Sequence, residues 1–322
     1  MIELSKKVVA FFWFGLLIIT AILSIGSIYF WQYPLELLSN FRVYYFLIAL
    51  IIAVACVICQ IWGWRFRLLL FLSLALAIFN SVWIVPWYFP RPQQASEDSI
   101  RVLTFNINIQ NDRWDEIANS IISLQPDIAT IIESSIEAKE ELSQRLASLL
   151  PFGYRTSGGG LAIFSRFPLI SPQSETLDNG TILVTSLQIN QKTVNLIAAH
   201  PIVPIRPDLF HRRNSSLAEI TAYLQQKPES LIFLGDLNLT PWSPYYNRLI
   251  NRTHIHNTRL GFGIEPSWLE DTTYIHYPNW FVALMKIPID HIFVRGNIKV
   301  INCQTAKAAN SDHRILWSDL AL

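Results

Sequence analysis

The sequence predicts two bodies in series: three membrane-spanning helices within residues 1–90, then an α/β or α+β sheet sandwich over residues 100–322. Three observations carry this. Charge nearly vanishes before residue 90 and returns after residue 99. Beyond residue 100, short apolar runs alternate with a few segments of helical periodicity. Nearly every one of those runs ends in Asn, Asp, Glu or His.

The charge pattern comes first. Of the 322 residues, 51% are hydrophobic and 15% charged, where about a quarter charged is usual. Residues 8–90 hold only Glu36, Arg42, Arg65 and Arg67 as charges, whereas residues 99–322 hold 19 Lys+Arg and 20 Asp+Glu. This shift puts a boundary near residues 90–100. Within the apolar part, the uncharged runs 8–30, 43–64 and 68–89 are each 22 or 23 residues long, enough to cross a hydrocarbon core as a helix. Trp31, Trp62, Trp64, Trp83 and Trp87 lie at or near the run ends, where interfacial aromatics gather. A cleavable signal peptide fits the first run poorly, because its apolar stretch is longer than such peptides carry and more spans follow it here.

Orientation follows from Lys and Arg in short loops. Lys6, Lys7, Arg65 and Arg67 fall on one side of three spans, Arg42 and Arg91 on the other. The bias puts the N-terminus in the cytoplasm and the second domain outside it. Residues 91–99, in "PRPQQASEDS", read as a tether. Cys56 and Cys59 lie in a span and Cys303 is alone in the second domain, which excludes an intradomain disulfide.

The second domain, residues 100–322, then runs in order. "IRVLTFNI" reads as a strand, "DRWDEIANSIISLQ" as a helix, "DIATIIE" as a strand and "SIEAKEELSQRLASLL" as a helix. "GYRTSGGG" reads as a flexible loop. "LAIFS", "TILVTSLQI" and "TVNLIAAH" are strands, and residues 209–226 a helix. "LIFLGD", "IDHIFV" and "HRILWSDL" complete the strands.

The strand ends carry Asn106, Asn108, Glu133, His200, Asp236, Asn238, Asp290, Asp312 and His313. A lone strand-end Asp or His is ordinary turn chemistry; the repetition is what calls for an explanation. In a strand, residues two apart share a face, so Asp236 and Asn238 are expected to look the same way from the mouth of a sheet. Carboxylate and amide oxygens are hard ligands suited to Mg²⁺, with Mn²⁺ or Ca²⁺ as alternatives. Imidazoles beside acids supply proton transfer near neutral pH. No Cys or dense His cluster suggests zinc, and no Gly-x-x-x-x-Gly-Lys motif suggests a nucleoside triphosphate.

The order N-x-N, E, H, G-D-x-N-x-x-P, I-D-H, S-D-H resembles the endonuclease/exonuclease/phosphatase family, also called DNase I-like, over residues 100–322. "GDLNLTPWS" and "PIDHIFV" are most similar to bacterial members attached to N-terminal membrane helices. The resemblance implies a four-layer α/β sandwich, with two mostly antiparallel sheets flanked by helices, and Mg²⁺-dependent hydrolysis of phosphoesters. It implies Glu133 as chief metal ligand beside Asn108, with Asp312 as a further metal contact and Asn106 in support. It also implies that Asp236 orients or deprotonates the attacking water and that Asn238 holds the scissile phosphate. His313, oriented by Asp290, would contact that phosphate and act as base or acid, with His200 as a second phosphate-side His. The chain departs from the family pattern at Asn108, where many members have Asp, and at Pro201, where Leu is commoner.

Three functions fit. The first is a tethered phosphodiesterase or phosphatase acting on lipid headgroups or small phosphoesters. The second is a tethered nuclease, and the third a non-catalytic binding protein. Dedicated duplex binders show a basic face, whereas residues 99–322 net −1. The best basic candidates are Arg212, Arg213, Arg248, Arg252 and Arg259, which read more simply as solvated. "YPNWFVALMKIP" (277–288) is either a buried segment or an exposed one that touches the bilayer. Nothing in the sequence assigns an oligomeric state.

Overall fold

A computed structural model describes residues 2–61, 64, 66–89, 99–228, 230–274, 276–308 and 310–322, with side chains from Lys6 onward. Arg65, Arg91, Trp62 and the tether up to residue 98 lie outside the described residues, and Ser99 already belongs to the first strand. The chain divides into two compact units, Met1–Pro86 with Trp242–Tyr246, and Trp87–Pro241 with Asn247–Leu322.

The first unit holds α1 (Ile2–Tyr29), α2 (Arg42–Ile61) and α3 (Arg67–Ile84). The stretches Lys6–Tyr29, Leu35–Ile61 and Arg67–Trp87 are long and apolar enough to cross a membrane. Their apolar sides carry one buried polar knot. Arg42 donates to the Asn80 side-chain oxygen (3.2 Å), the Ser24 carbonyl (3.1 Å) and Ser27 Oγ (2.9 Å). Ser24 Oγ donates to the same Asn80 oxygen at 2.8 Å. Polar groups among apolar helices need such mutual satisfaction. In the same unit Ser243 bonds Glu36, and the Tyr245 hydroxyl donates to the Trp31 carbonyl at 2.8 Å.

The second unit runs β1 (Ser99–Asn106), α4 (Trp114–Ser123), β2 (Ile128–Ile132), α5 (Ile136–Leu146), β3 (Phe152–Arg155), β4 (Leu161–Ser165), β5 (Leu169–Leu177), β6 (Gly180–Ile189) and β7 (Lys192–Ala199). It continues with α6 (Pro207–Gln225), β8 (Leu231–Asp236), α7 (Pro244–Thr253, whose first three residues belong to the first unit), β9 (His256–Asn257), α8 (Asn279–Leu284), β10 (Asp290–Arg295), β11 (Lys299–Ala306) and β12 (Ile315–Ala321). The first sheet has the order β11-β12-β1-β2-β4-β3, the second β5-β6-β7-β8-β10-β9. Each is antiparallel except for one parallel pair, β1–β2 in the first and β7–β8 in the second.

Alternation explains the layers. Ile128, Ile132, Leu161 and Ile163 of the first sheet meet Leu196, Ile232, Leu234 and Ile292 of the second in one buried core. The opposite face of the first sheet, including Phe105, Ile131 and Phe164, packs on Ile117 and Ile121 of α4 and Leu142 and Leu146 of α5. Each such side chain contributes about 1.5–3 kcal/mol on burial, so Ile232→Ala or Leu234→Ala would cost about 2–5 kcal/mol. Ser135 caps α5, accepting from the Ala138 amide at 2.9 Å. On the second sheet, Arg295 of β10 donates to the carbonyls of Leu224 and Lys227 at the end of α6 and of Thr253 at the end of α7. A cation there suits the negative helix terminus. The four layers are therefore helices, first sheet, second sheet, helices, the architecture that the sequence resemblance implied.

Candidate active site

The polar strand ends converge. Asn106, at the end of β1, donates from Nδ2 to Glu133 Oε1 (3.0 Å) and to Asp236 Oδ2 (3.1 Å), bridging the two sheets. Glu133, just after β2, also accepts from the Ile109 amide at 2.9 Å. Asn108 Nδ2 donates to Asp312 Oδ1 at 2.9 Å, and Trp268 Nε1 holds the other Asp312 oxygen at 3.0 Å. His313 Nδ1 donates to Asp290 Oδ2 at 2.9 Å, while its Nε2 lies 3.6 Å from Asp236 Oδ2. His200 Nε2 lies 3.5 Å from the same Asp236 oxygen and 4.0 Å from Glu133 Oε1. The Asn238 carboxamide donates to the Pro201 carbonyl at 3.0 Å and approaches His200 Nε2 at 3.5 Å. All nine strand-end residues of the sequence pattern thus fall in one connected network.

One part of the sequence reasoning is corrected. Asp236 and Asn238 do not share a face through strand alternation, because β8 ends at Asp236 and Asn238 has φ +49°. The Asp236 carboxylate instead accepts from the Asn238 amide at 2.9 Å, a side-chain-closed turn that Asp and Asn favour. The first sheet repeats it: Asn106 Oδ1 accepts from the Asn108 amide at 3.0 Å, and Asn108 has φ +63°. Glu133 is also left-handed, at φ +59°, an uncommon state for a residue with a long side chain and one that clusters at functional sites.

Two glycines make room for this. Gly235 has φ +140°, and a Cβ there would lie 2.0 Å from the Ala199 carbonyl oxygen, so only glycine lets β7 and β8 close beside Asp236. Gly160 has φ +61° and its carbonyl accepts from the Ser134 amide at 2.8 Å, against the Glu133 backbone. The "GYRTSGGG" stretch is therefore part strand (β3) and part turn abutting Glu133, rather than a free loop.

Burial polarises the second-sheet half. Burial first, then the neighbouring Asp290, pushes the Asp236 carboxyl up to about 6. Burial alone would lower His313, but Asp290 and then Asp236 outweigh it and hold the imidazole up to about 10. The Asp290 carboxyl is lowered: burial opposes ionisation, and the His313 charge and hydrogen bond outweigh it. Asp236, Asp290 and His313 offer atoms within 4.8 Å of one another, as a metal trio would. Metal binding needs a neutral imidazole, whereas both nitrogens of His313 face carboxylates that keep it protonated. This trio is an ion-pair network.

The oxygens better suited to a hard cation are those of Glu133 and Asn108, which are only partly buried, with Asp312 tied to Asn108. Four carboxylates, those of Glu133, Asp236, Asp290 and Asp312, meet in this network, and that concentration of hard oxygen ligands fits a divalent ion.

Four neighbours carry no sequence signal. Trp268 fixes Asp312 and lies 6.5 Å, centroid to centroid, from the His313 ring. Ser311 Oγ donates to the Asn106 carbonyl at 2.6 Å and accepts from the His313 amide. Ser267 Oγ accepts from the Asp290 amide at 3.0 Å. Burial, then the charges of Asp312 and Glu133, push the Tyr274 phenol upward. Of the basic candidates, Arg213 and Arg259 are buried, and Arg212, Arg248 and Arg252 are exposed. The 277–288 segment contains α8, with Trp280 69% and Tyr277 42% exposed, so the buried reading fails there.

Comparison with known proteins agrees with this architecture. A sequence model described as "Endonuclease/Exonuclease/phosphatase family" matches residues 103–313. No curated protein matches the sequence. Among solved structures, an endonuclease/exonuclease/phosphatase from Beutenbergia cavernae is similar, with 18% identity, TM-score 0.58 and 70% of this chain covering 72% of that one. Sphingomyelinase C from Streptomyces griseocarneus is similar at 14% identity and TM-score 0.53, covering 69% and 99%. D. rerio TDP2 complexed with single strand DNA product is similar at 13% identity and TM-score 0.55, covering 70% and 100%. At these identities the likeness is one of fold.

Proposed function

We propose, from the premise that this chain belongs to the endonuclease/exonuclease/phosphatase family, that it is a membrane-anchored, Mg²⁺-dependent phosphoesterase acting on lipid headgroups or small phosphoesters. The observation that carries this reading is the single network joining Asn106, Glu133, Asp236, Asp290 and His313. Glu133, Asn108 and Asp312 would hold the metal, with Asn106 supporting Glu133. When bound, Mg²⁺ supplies charge neutralisation at the phosphate oxygens, and Mn²⁺ or Ca²⁺ could take its place.

The chain's own residues do the rest. Asp236, with its carboxyl near 6, is ionised at neutral pH and orients an attacking water or accepts its proton. His313, held as imidazolium by Asp290, faces the charge that develops on the phosphoryl group. The Asn238 carboxamide and His200 hold that group in line with the water.

Lipid is the favoured substrate class because exposed Trp280, Tyr277 and Leu284 on or beside α8 present an apolar surface in a chain with three candidate spans. The nuclease reading loses Arg213 and Arg259 from its basic set, since both are buried. The test uses the full chain in detergent with Mg²⁺, offered phospholipids, phosphoinositide-like headgroups, plasmid DNA and RNA. Release of a phosphorylated headgroup or phosphate is expected. Cleavage of nucleic acid alone would install the nuclease reading, and no turnover of any substrate would install the binding-protein reading.

We place the second domain, residues 100–322, outside the cytoplasm, on the four-to-two Lys/Arg bias. A reporter active only in the cytoplasm, fused after Leu322, should stay silent, and a bright signal reverses the orientation.

A further inference from the structure

The turn that carries Asn238 is held by its main chain from two distant elements. Arg213, a buried residue of α6, donates from Nη1 to the Asn238 carbonyl at 2.9 Å. His291, the fully buried second residue of β10, has Nε2 at 2.8 Å from the Leu239 carbonyl. A carbonyl only accepts, so Nε2 carries the proton. Nδ1 then accepts from Asn257 Nδ2 at 2.9 Å, which leaves a neutral ring with both nitrogens used. Burial pushes this imidazole down to about 3, in keeping with that neutral state. The Leu237 amide completes the attachment by donating to the Ile289 carbonyl at 3.0 Å.

We propose that Arg213 and His291 are positioning residues that clamp consecutive carbonyls of the Asn238 turn and so fix where the Asn238 carboxamide points. Neither reaches the reacting atoms. A turn with Asn238 at φ +49° is not the resting state of a free chain, and two buried donors on adjacent carbonyls over-determine it. The proposal rests on the reading of Asn238 as the phosphate-holding residue. A phosphate held about 1 Å out of line loses rate while binding survives.

The test uses the full chain in detergent with Mg²⁺ and bis(4-nitrophenyl) phosphate. Arg213→Lys and His291→Phe should lower kcat by about tenfold to a hundredfold, with KM kept within about threefold. His291→Gln keeps an N–H for Leu239 and an oxygen for Asn257, and should restore most of kcat. In an Asn238→Ala background, Arg213→Lys and His291→Phe should cost less than about twofold more. Equal losses in both backgrounds would show a merely structural role and overturn the clamp. A second readout needs no activity. Amide exchange of the 237–240 segment should quicken by at least about tenfold in Arg213→Lys and His291→Phe, with β8 unchanged. Unchanged exchange at the turn overturns the proposal. If the wild-type chain hydrolyses nothing, the reading of function fails and the exchange result decides the clamp alone.

Discussion

The first sheet ends its parallel pair in Asn106 and Glu133; the second ends its own in His200 and Asp236. Each sheet adds the start of an antiparallel neighbour, His313 before β12 in the first and Asp290 at the start of β10 in the second. Each also folds back through the same turn, Asn106 onto Asn108 and Asp236 onto Asn238. The plan is shared, but the surroundings differ. The Glu133 side chain is 28% exposed, that of Asp236 2%. The first half stays wet enough for a hydrated cation, which gives up its waters reluctantly. The second half is dry, and there burial and close charges move Asp236 and His313 far from their ordinary pKa values. His313 is the exception that joins them, a first-sheet residue whose partner Asp290 lies on the second.

The most severe way to break this division is to remove the cation proposed for the wet half. Chelation of Mg²⁺, or Glu133→Gln, is expected to abolish hydrolysis, and Glu133→Gln should also weaken Mg²⁺ binding measured by calorimetry while circular dichroism stays native. Full activity in Glu133→Gln would end the assignment of the first sheet as the metal side.

Next come the dry-half residues. Asp236→Ala and His313→Ala should each lower kcat/KM by roughly 10²–10⁴. The double variant should cost less than the product, because groups acting as a unit are not additive. Asp290→Asn should resemble a milder His313→Ala, since it disturbs orientation and leaves the imidazole. A wild-type rate in His313→Ala would overturn this pairing.

The smallest effect is on stability. His313 rises from about 6.5 unfolded to about 10 folded. Its ion pairs therefore add stability that is fully present below the unfolded value and is lost as pH climbs toward 10. The lowered Asp290 carboxyl acts at the acid end, where stability is lost as pH falls. Urea midpoints of the full chain and of His313→Asn, compared between pH 7 and 10.5, should converge as pH rises. Parallel curves would mean that His313 is not held protonated.

The strands legible in the sequence were β1, β2, β4, β6, β7, β8, β10 and β12, the interior strands of the two sheets. The four that escaped, β3, β5, β9 and β11, are the four edges. The reason is physical. Interior strands such as β2, β4 and β8 are buried at every residue and read as unbroken apolar runs, whereas β5 and β11 are exposed or half-buried almost throughout. The same logic governs the site. Polar residues ending an interior strand stand out against an apolar run. Arg213, Trp268 and His291 sit inside ordinary helix, loop and strand composition, and act across separations of 25 to 52 residues along the chain. The arginine pair at 212–213 shows the cost: one member is exposed and the other buried.

The division of the chain into compact units has a consequence for modularity. Residues Trp242–Tyr246, which follow the Asn238 turn, count with the helices rather than with the sandwich. The polypeptide therefore passes between units three times, after Pro86, after Pro241 and after Tyr246. The boundary between the units is thus not a single point in the sequence. A gene fragment beginning at residue 100 carries a five-residue piece of the other unit, Trp242 and two tyrosines among it. Any transplant of this catalytic body onto another anchor has to redesign that piece as surface.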